Sequence, residues 1–385
     1  MTIKQPGPGG AASAVSGLLR PMEVASRLPR LLGGLAGAGC DALLVTSLTN
    51  IRYLTGFTGS AAMLMVTGTG STLTTDGRYR TQAAEQLGAA GVGATIEIGP
   101  PADQHAALAS VARRLGARPK VGLEAGSITW AAKRNLETVM AGAELVATAG
   151  LVEGLRRVKD GGEQDRIETA AAIADAALAE VVGMVADGRT ESELALALDT
   201  AMRRLGAYSS AFETIVAAGP NGAKPHSRPT GRPIRPGEMV VIDFGATVDG
   251  YRSDMTRTVC HGAPAGSEAR RMYEVVLASQ AAGVAAVRPG RKAAEVDRAC
   301  RSVIAEAGWA DAFVHGTGHG VGIDIHEAPA VSATSADTLE EASVVTVEPG
   351  VYLPGEGGVR IEDTVVVTAE GCRTVTRYPK DLILA

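Results

Sequence analysis

The chain has 385 residues, 45% of them hydrophobic and 21% charged, which is enough for two domains with sizeable buried cores. Its formal net charge of −5 comes without any basic run, which argues against a nucleic-acid partner, because such partners leave a clustered Lys/Arg footprint. No stretch approaches the roughly 20 apolar residues that span a bilayer, so no membrane partner is expected.

Residues 1–20 include a short Ala-rich piece, but Pro6, Pro8 and interleaved Gly and Ser leave no sustained apolar core of a secretory signal. The segment reads as a flexible tail. Cys40, Cys260, Cys300 and Cys372 are widely scattered and form no CxxC pair, the usage of buried free thiols in a cytoplasmic protein. From Arg27 a helical pattern runs to about Gly37–Gly39, followed by an apolar strand over 42–46. Strand-like runs over 62–66 and 71–74 then alternate with helical stretches over 80–87 and 105–115. VGLE and TWAAKRNLETVM add a further strand and helix, which predicts an α/β domain with a mixed sheet covered by helices over residues 21–158. A shift to charged and then Ala-rich composition places the boundary near Lys159–Gly162, with a helix starting at about Gly162. Residues 159–385 alternate long helices, over 192–205 and 267–287, with paired strands, and this second domain reads as α+β.

Five residues in the second half are of metal-ligand type: Asp243 and Asp254 in VVIDFGATVDGYRSDMTRTV, His319 in HGTGHGVGIDIHE, Glu348 in VTVEPGVY and Glu362 in VRIEDTVVV. Four carboxylates brought together cannot all stay ionised unaided, because like charges a few Å apart raise one another's pKa. Divalent cations resolve that conflict. Two ions suit the set better than one, since carboxylates can bridge them and water held between them becomes a nucleophile at neutral pH. The oxygen-rich donor set favours Mn(II), with Co(II), Fe(II) or Zn(II) as alternatives. The spacing supports convergence. If Asp249-Gly250 is a two-residue hairpin loop, Val248 pairs with Tyr251, Asp243 falls opposite Thr256, and Asp254 points to the same face as Asp243. VVTVE, a turn through GEGG and the returning strand VRIEDTVVV repeat the arrangement for Glu348 and Glu362. Four of the six histidines, His226, His315, His319 and His326, fall in these segments.

The DFG, SDMTRT, GTGHGVGIDIHE, VEPGVY and RIED segments resemble the pita-bread metallopeptidases, the family of methionine aminopeptidase, prolidase and aminopeptidase P. NIRYLTGFTGS and TDGRYRTQAAEQ are similar to the creatinase-type N-terminal domain of its Xaa-Pro branch. The resemblance implies a pseudo-symmetric catalytic domain with the metals in a central cleft, and it makes Asp243, Asp254, His319, Glu348 and Glu362 the metal ligands. It further implies that Glu348 is the general base and that His226 and His326 donate to the substrate and the developing oxyanion. His315 matches a position behind the ligands. Arg360, two residues before Glu362 and so on the same strand face, would orient carboxylates or relay protons with His315. The activity implied is removal of the residue before proline from short peptides by attack of a hydroxide held between two metals (Xaa-Pro aminopeptidase). Xaa-Pro dipeptidase (prolidase) is the alternative, and a non-enzymatic peptide-binding protein on the same fold a remote one. A homodimer or dimer of dimers is expected. In the first domain, Tyr53 and Phe57 read as packing residues.

Overall fold

Residues 19–382 are described in a computed structural model of the chain, and they form two units, 22–156 and 157 onward, with 19–21 grouped with the second. Most of the tail expected over 1–20 lies outside the described residues.

In the first unit, β-branched and aliphatic runs form a six-stranded mixed sheet. Its strands in spatial order are Ala94–Ile98, Gly70–Thr75, Ala62–Thr67, Ala42–Val45, Lys120–Glu124 and Glu144–Thr148. The strand Ala42–Val45 lies inside the sheet, antiparallel to Ala62–Thr67 and parallel to Lys120–Glu124. Leu44, Met65 and Leu123 pack with Leu108 from the helix Pro101–Arg114 to form the core. Tyr53 and Phe57 are each 1% exposed and belong to the packing, as read from the sequence. The helix Leu48–Thr55 was not anticipated from the sequence, nor were the strands Ala94–Ile98 and Glu144–Thr148. Leu48–Thr55 is nonetheless well punctuated: Ser47 caps its first turn, and Gly56, at φ +75°, ends it.

The second unit is built twice over from one plan, a helix pair laid on a β-hairpin. In its first half the helices Gly161–Val181 and Glu191–Arg204 bury Ile173, Leu178, Leu198 and Met202 against Val240, Ile242 and Val259. Capping boxes built on Asp160 and Thr190 start both helices. In the second half, Ser267–Ala286 and Ala293–Glu306 bury Val276, Val296 and Ile304 against Val345, Val347, Val359 and Val365.

Each hairpin is broken beside its acidic residues, with Asp254, Glu348 and Glu362 at the breaks and Asp243 still in the ladder. In the first, Met239–Phe244 pairs with Met255–Cys260, and Asp243 lies opposite Thr256 as expected. Past the break the chain pairs again, with Val248 opposite Tyr251, and the positive φ angles of Asp249 and Gly250 form the tight turn. The pairing offset is the same on both sides of the break. The second hairpin pairs Val344–Val347 with Asp363–Val367, then Gly350–Leu353 with Gly357–Arg360, again in unchanged register. The sequence reading took VRIEDTVVV as one strand. The structure instead interrupts it at Ile361-Glu362, opposite Glu348-Pro349, because Pro349 has no N–H to give the ladder. Asp254 likewise sits at a break, facing Gly245.

The backbones approach so closely at the first break that a Cβ on Gly245 would lie 1.9 Å from the Ser253 carbonyl oxygen. Gly245→Ala is therefore expected to lower unfolding free energy by about 1–3 kcal/mol, the scale of an overpacked site. It should also reduce divalent-metal content by displacing Asp254. Denaturant titration with metal analysis checks both, and a variant of unchanged stability would show that the break tolerates a side chain.

Candidate metal centre

Residues from both hairpins and from the loop before the strand Gly318–Gly320 line one cleft of about 590 Å³, in the second unit. All five acid and imidazole residues singled out as ligands lie on it, together with His226, His315, His326 and Arg360. His105 and His261, outside the motifs, do not line it.

Three of the five already form a cluster, with one donor atom each from Asp254, His319 and Glu362 lying within 4.8 Å of one another. His319 Nδ1–H donates to the Gly320 carbonyl at 3.0 Å, which leaves Nε2 as a lone pair. That nitrogen lies 3.4 Å from Asp254 Oδ2 and 3.4 Å from Glu348 Oε1. Lone pairs facing one another at that distance call for a cation between them. Asp243 Oδ1 and Glu362 Oε1 point the same way: both are buried without a hydrogen-bond partner. Unpaired buried carboxylate oxygens are costly unless an ion takes them up. The donor set therefore fits a pair of hard divalent cations.

The electrostatics follow from the crowding. Burial, and after it Glu362, Asp243 and Glu348, hold the Asp254 carboxyl well above the usual range. Glu362 is raised in the same way, first by burial and then by Glu348 and Asp243. Burial pushes Glu348 up to about 8, with Arg360 opposing the rise and Asp243 adding to it. Burial also lowers His319 and His326 and brings His315 down to about 4, so the imidazoles stay neutral at physiological pH.

The counter-charge inside the cleft comes from Arg360. It is 3% exposed and its Nη2 donates to Asp243 Oδ2 at 2.7 Å, so it reaches the opposite hairpin. Its Nη1 donates to the Tyr352 hydroxyl at 2.8 Å, and that hydroxyl lies 2.8 Å from His315 Nε2. Because His315 Nδ1–H is given to the Gly316 carbonyl, Nε2 must accept, which orients the chain Arg360 to Tyr352 to His315. Arg360 thus meets His315 through Tyr352, a residue the sequence reading did not single out although it stands in VEPGVY.

Two threonines were also missed. Thr256 Oγ1 donates to Glu362 Oε2 at 2.7 Å and accepts from Arg360 Nε at 3.1 Å. Thr346 Oγ1 donates to Glu348 Oε1 at 3.2 Å and accepts from the His319 backbone N–H at 3.1 Å. Each fixes one carboxylate, and each stands two residues from an acid of its own hairpin, the signal by which period two could have found them. The HGTGH loop is tied down from behind by the helix Ala293–Glu306. Asp297 accepts from Thr317 N and Oγ1, and Arg301 bonds Asp297 and the carbonyls of Phe313 and His315.

Residues 165–369 match the family model for metallopeptidase family M24, and residues 27–158 match that of the creatinase/prolidase N-terminal domain. A Bacillus subtilis protein described as an uncharacterized peptidase is 41% identical over 358 residues, covering 93% of this chain and 99% of that protein. The solved structure of an Xaa-Pro dipeptidase from Bacillus anthracis is similar at a TM-score of 0.90 and 37% identity, covering 94% of this chain and all 100% of the other. That of an X-Pro aminopeptidase from Thermotoga maritima MSB8 is similar at a TM-score of 0.84 and 32% identity, covering 93% and 100%.

The raised carboxyls make metal uptake compete with protons. Glu348, at about 8 in the folded metal-free protein against 4.5 for an ordinary glutamate, holds a proton that the unfolded chain has released. Its contribution to stability is therefore present at low pH and is lost as pH rises from about 4.5 to about 8. Cation binding displaces that proton. The rise in Tm on adding saturating Mn(II) is thus expected to grow between about pH 5 and about pH 8, as thermal unfolding will show, and an increment that shrinks over that window contradicts the assignment.

Proposed function

The chain belongs to metallopeptidase family M24 and carries the creatinase/prolidase N-terminal domain; from that premise we propose that it hydrolyses the amide bond before proline in short peptides, chiefly Xaa-Pro dipeptides. Its helix-on-hairpin halves are the pita-bread arrangement of that family, and it is a metallopeptidase. The observation that carries the metal-dependent part of the reading is the cleft itself, where Asp243 and Glu362 present unpaired buried oxygens beside the free Nε2 of His319, while the dipeptide preference is supported by the likeness to the Bacillus anthracis Xaa-Pro dipeptidase. Trimming of longer Xaa-Pro peptides is the second reading, favoured by the sequence motifs and by the likeness to the Thermotoga maritima aminopeptidase.

In this reading Asp243, Asp254, His319, Glu348 and Glu362 hold two divalent cations, with Mn(II) the best match to so oxygen-rich a set. When bound, the cations supply an activated water and polarise the scissile carbonyl. Glu348 takes the water's proton and returns it toward the leaving nitrogen. Thr346 holds that carboxylate in place. His226 and His326, both on the cleft wall, donate to the substrate and to the developing oxyanion. Arg360 anchors Asp243, and Tyr352 and His315 brace Arg360. The protein is proposed to act as a homodimer or larger symmetric oligomer, the commonest form for soluble assemblies.

Chelation is expected to abolish hydrolysis and Mn(II) or Co(II) to restore it in the wild type, but not in Asp254→Ala or Glu362→Ala. Faster cleavage of Xaa-Pro than of Xaa-Pro-Yaa peptides by the Mn(II) enzyme supports the dipeptidase reading, and the reverse order establishes aminopeptidase action. Full activity without metal sinks the two-cation mechanism.

His226→Ala and His326→Ala are expected to keep their metal while losing about 10²- to 10³-fold in kcat, the cost of one oxyanion donor. His319→Ala should instead lose the metal. Metal analysis of the purified variants separates the two roles, and a metal-free His226→Ala protein would show that this residue is a ligand.

A further inference from the structure

We propose that Arg228 receives the C-terminal carboxylate of an Xaa-Pro dipeptide and that Glu213 holds its guanidinium in position in the free protein. The inference rests on the Xaa-Pro reading above and names the group that sets substrate length. A dipeptide ends in a carboxylate next to its proline ring, whereas a longer peptide has a neutral amide there. An enzyme that prefers the dipeptide needs a cation with an accessible charge on the wall of the cleft.

Arg228 meets that requirement. In the segment from His226 the exposure alternates: His226 is exposed, Ser227 is buried at 8%, and Arg228 is exposed again. His226 sits in a tight turn closed by the Ser227 N–H donating to the Lys224 carbonyl at 3.1 Å, and His226 and Arg228 both line the cleft while Ser227 between them is buried. The other arginine on the cleft wall, Arg360, is 3% exposed and committed to Asp243, Tyr352 and Thr256. The Arg228 side chain is 81% exposed, and the acid it meets, Glu213, is 63% exposed, with Arg228 Nε 3.2 Å from Glu213 Oε2. Glu213 also lines the cleft.

So exposed a pair contributes little stability, so exchanging one carboxylate for another costs little. The guanidinium carries five donors in a planar fork and holds an incoming carboxylate bidentately with its full counter-charge, while a neutral amide oxygen accepts at most one such bond and brings no charge to it. Glu213 acts as an internal competitor for the same fork, which keeps the arginine aimed into the cleft and tempers its affinity.

The experiment compares kcat/KM for Ala-Pro and for Ala-Pro-amide, using Mn(II)-loaded wild type, Arg228→Ala and Glu213→Gln. In Arg228→Ala the ratio of acid to amide is expected to fall by about tenfold, mainly through KM, as for one charge-assisted hydrogen bond near solvent. In Glu213→Gln the ratio is expected to rise, because the competitor is gone. Equal losses on both substrates in Arg228→Ala, or an unmoved ratio in both variants, overturn the assignment while leaving the peptidase reading intact. A wild type that cleaves neither substrate removes the Xaa-Pro reading itself, and this inference with it.

Discussion

Mutual repulsion among Asp243, Asp254, Glu348 and Glu362, held together out of water, is the constraint on which the rest of the structure turns. Left to itself such a cluster would spring apart or take up protons, and burial together with mutual repulsion holds Asp254, Glu348 and Glu362 above the usual carboxylate range. What prevents the first is the stiffness of the frame. Each acid is fixed by its own hairpin, and each hairpin is clamped by a helix pair whose core is close to fully buried. The two hairpins are stitched to one another as well. Glu362 N–H donates to the Thr256 carbonyl at 3.1 Å, and Thr364 Oγ1 donates to the Asp254 carbonyl at 2.7 Å.

The breaks in the hairpins explain how a β-ladder can carry such a site. A continuous ladder spends every backbone group on its neighbour strand and alternates side chains across two faces. Interrupting it for two residues, without changing the register, frees Glu348 N–H to bond the Thr317 carbonyl of the HGTGH loop at 2.8 Å. The break thereby joins a third segment to the site while the flanking pairs still hold the spacing. Gly318, where a Cβ would lie 2.1 Å from the Thr346 carbonyl oxygen, lets that loop come near enough for His319 to join the acids.

Much of this was legible in the sequence because the relevant signals are local. Asp249-Gly250 fixed a turn, the turn fixed a register, and the register placed Asp243 opposite Thr256. The motif histidines likewise came together on one cleft. What could not be read were contacts that depend on which strands meet across the seam. Arg360 was placed beside Glu362 by period two, yet its ion pair is with Asp243, far away in sequence. Tyr352 matters through His315, and Arg301 through the carbonyls of Phe313 and His315, partners that no spacing rule reaches. In the first unit, Glu97 and Ile98 belong to a short strand whose two faces are half covered at best, so hydrophobic alternation was too weak to announce it.

Arg360 also sets how the acidic cluster can be balanced. Its guanidinium stays protonated at any physiological pH, so its charge is a permanent part of the site, whereas protons on Asp254, Glu348 and Glu362 are exchangeable for other cations. Its bond to Asp243 Oδ2 leaves Oδ1 as the unpartnered oxygen of that carboxylate. One buried guanidinium thus fixes both a share of the charge and which atom of Asp243 is left to offer.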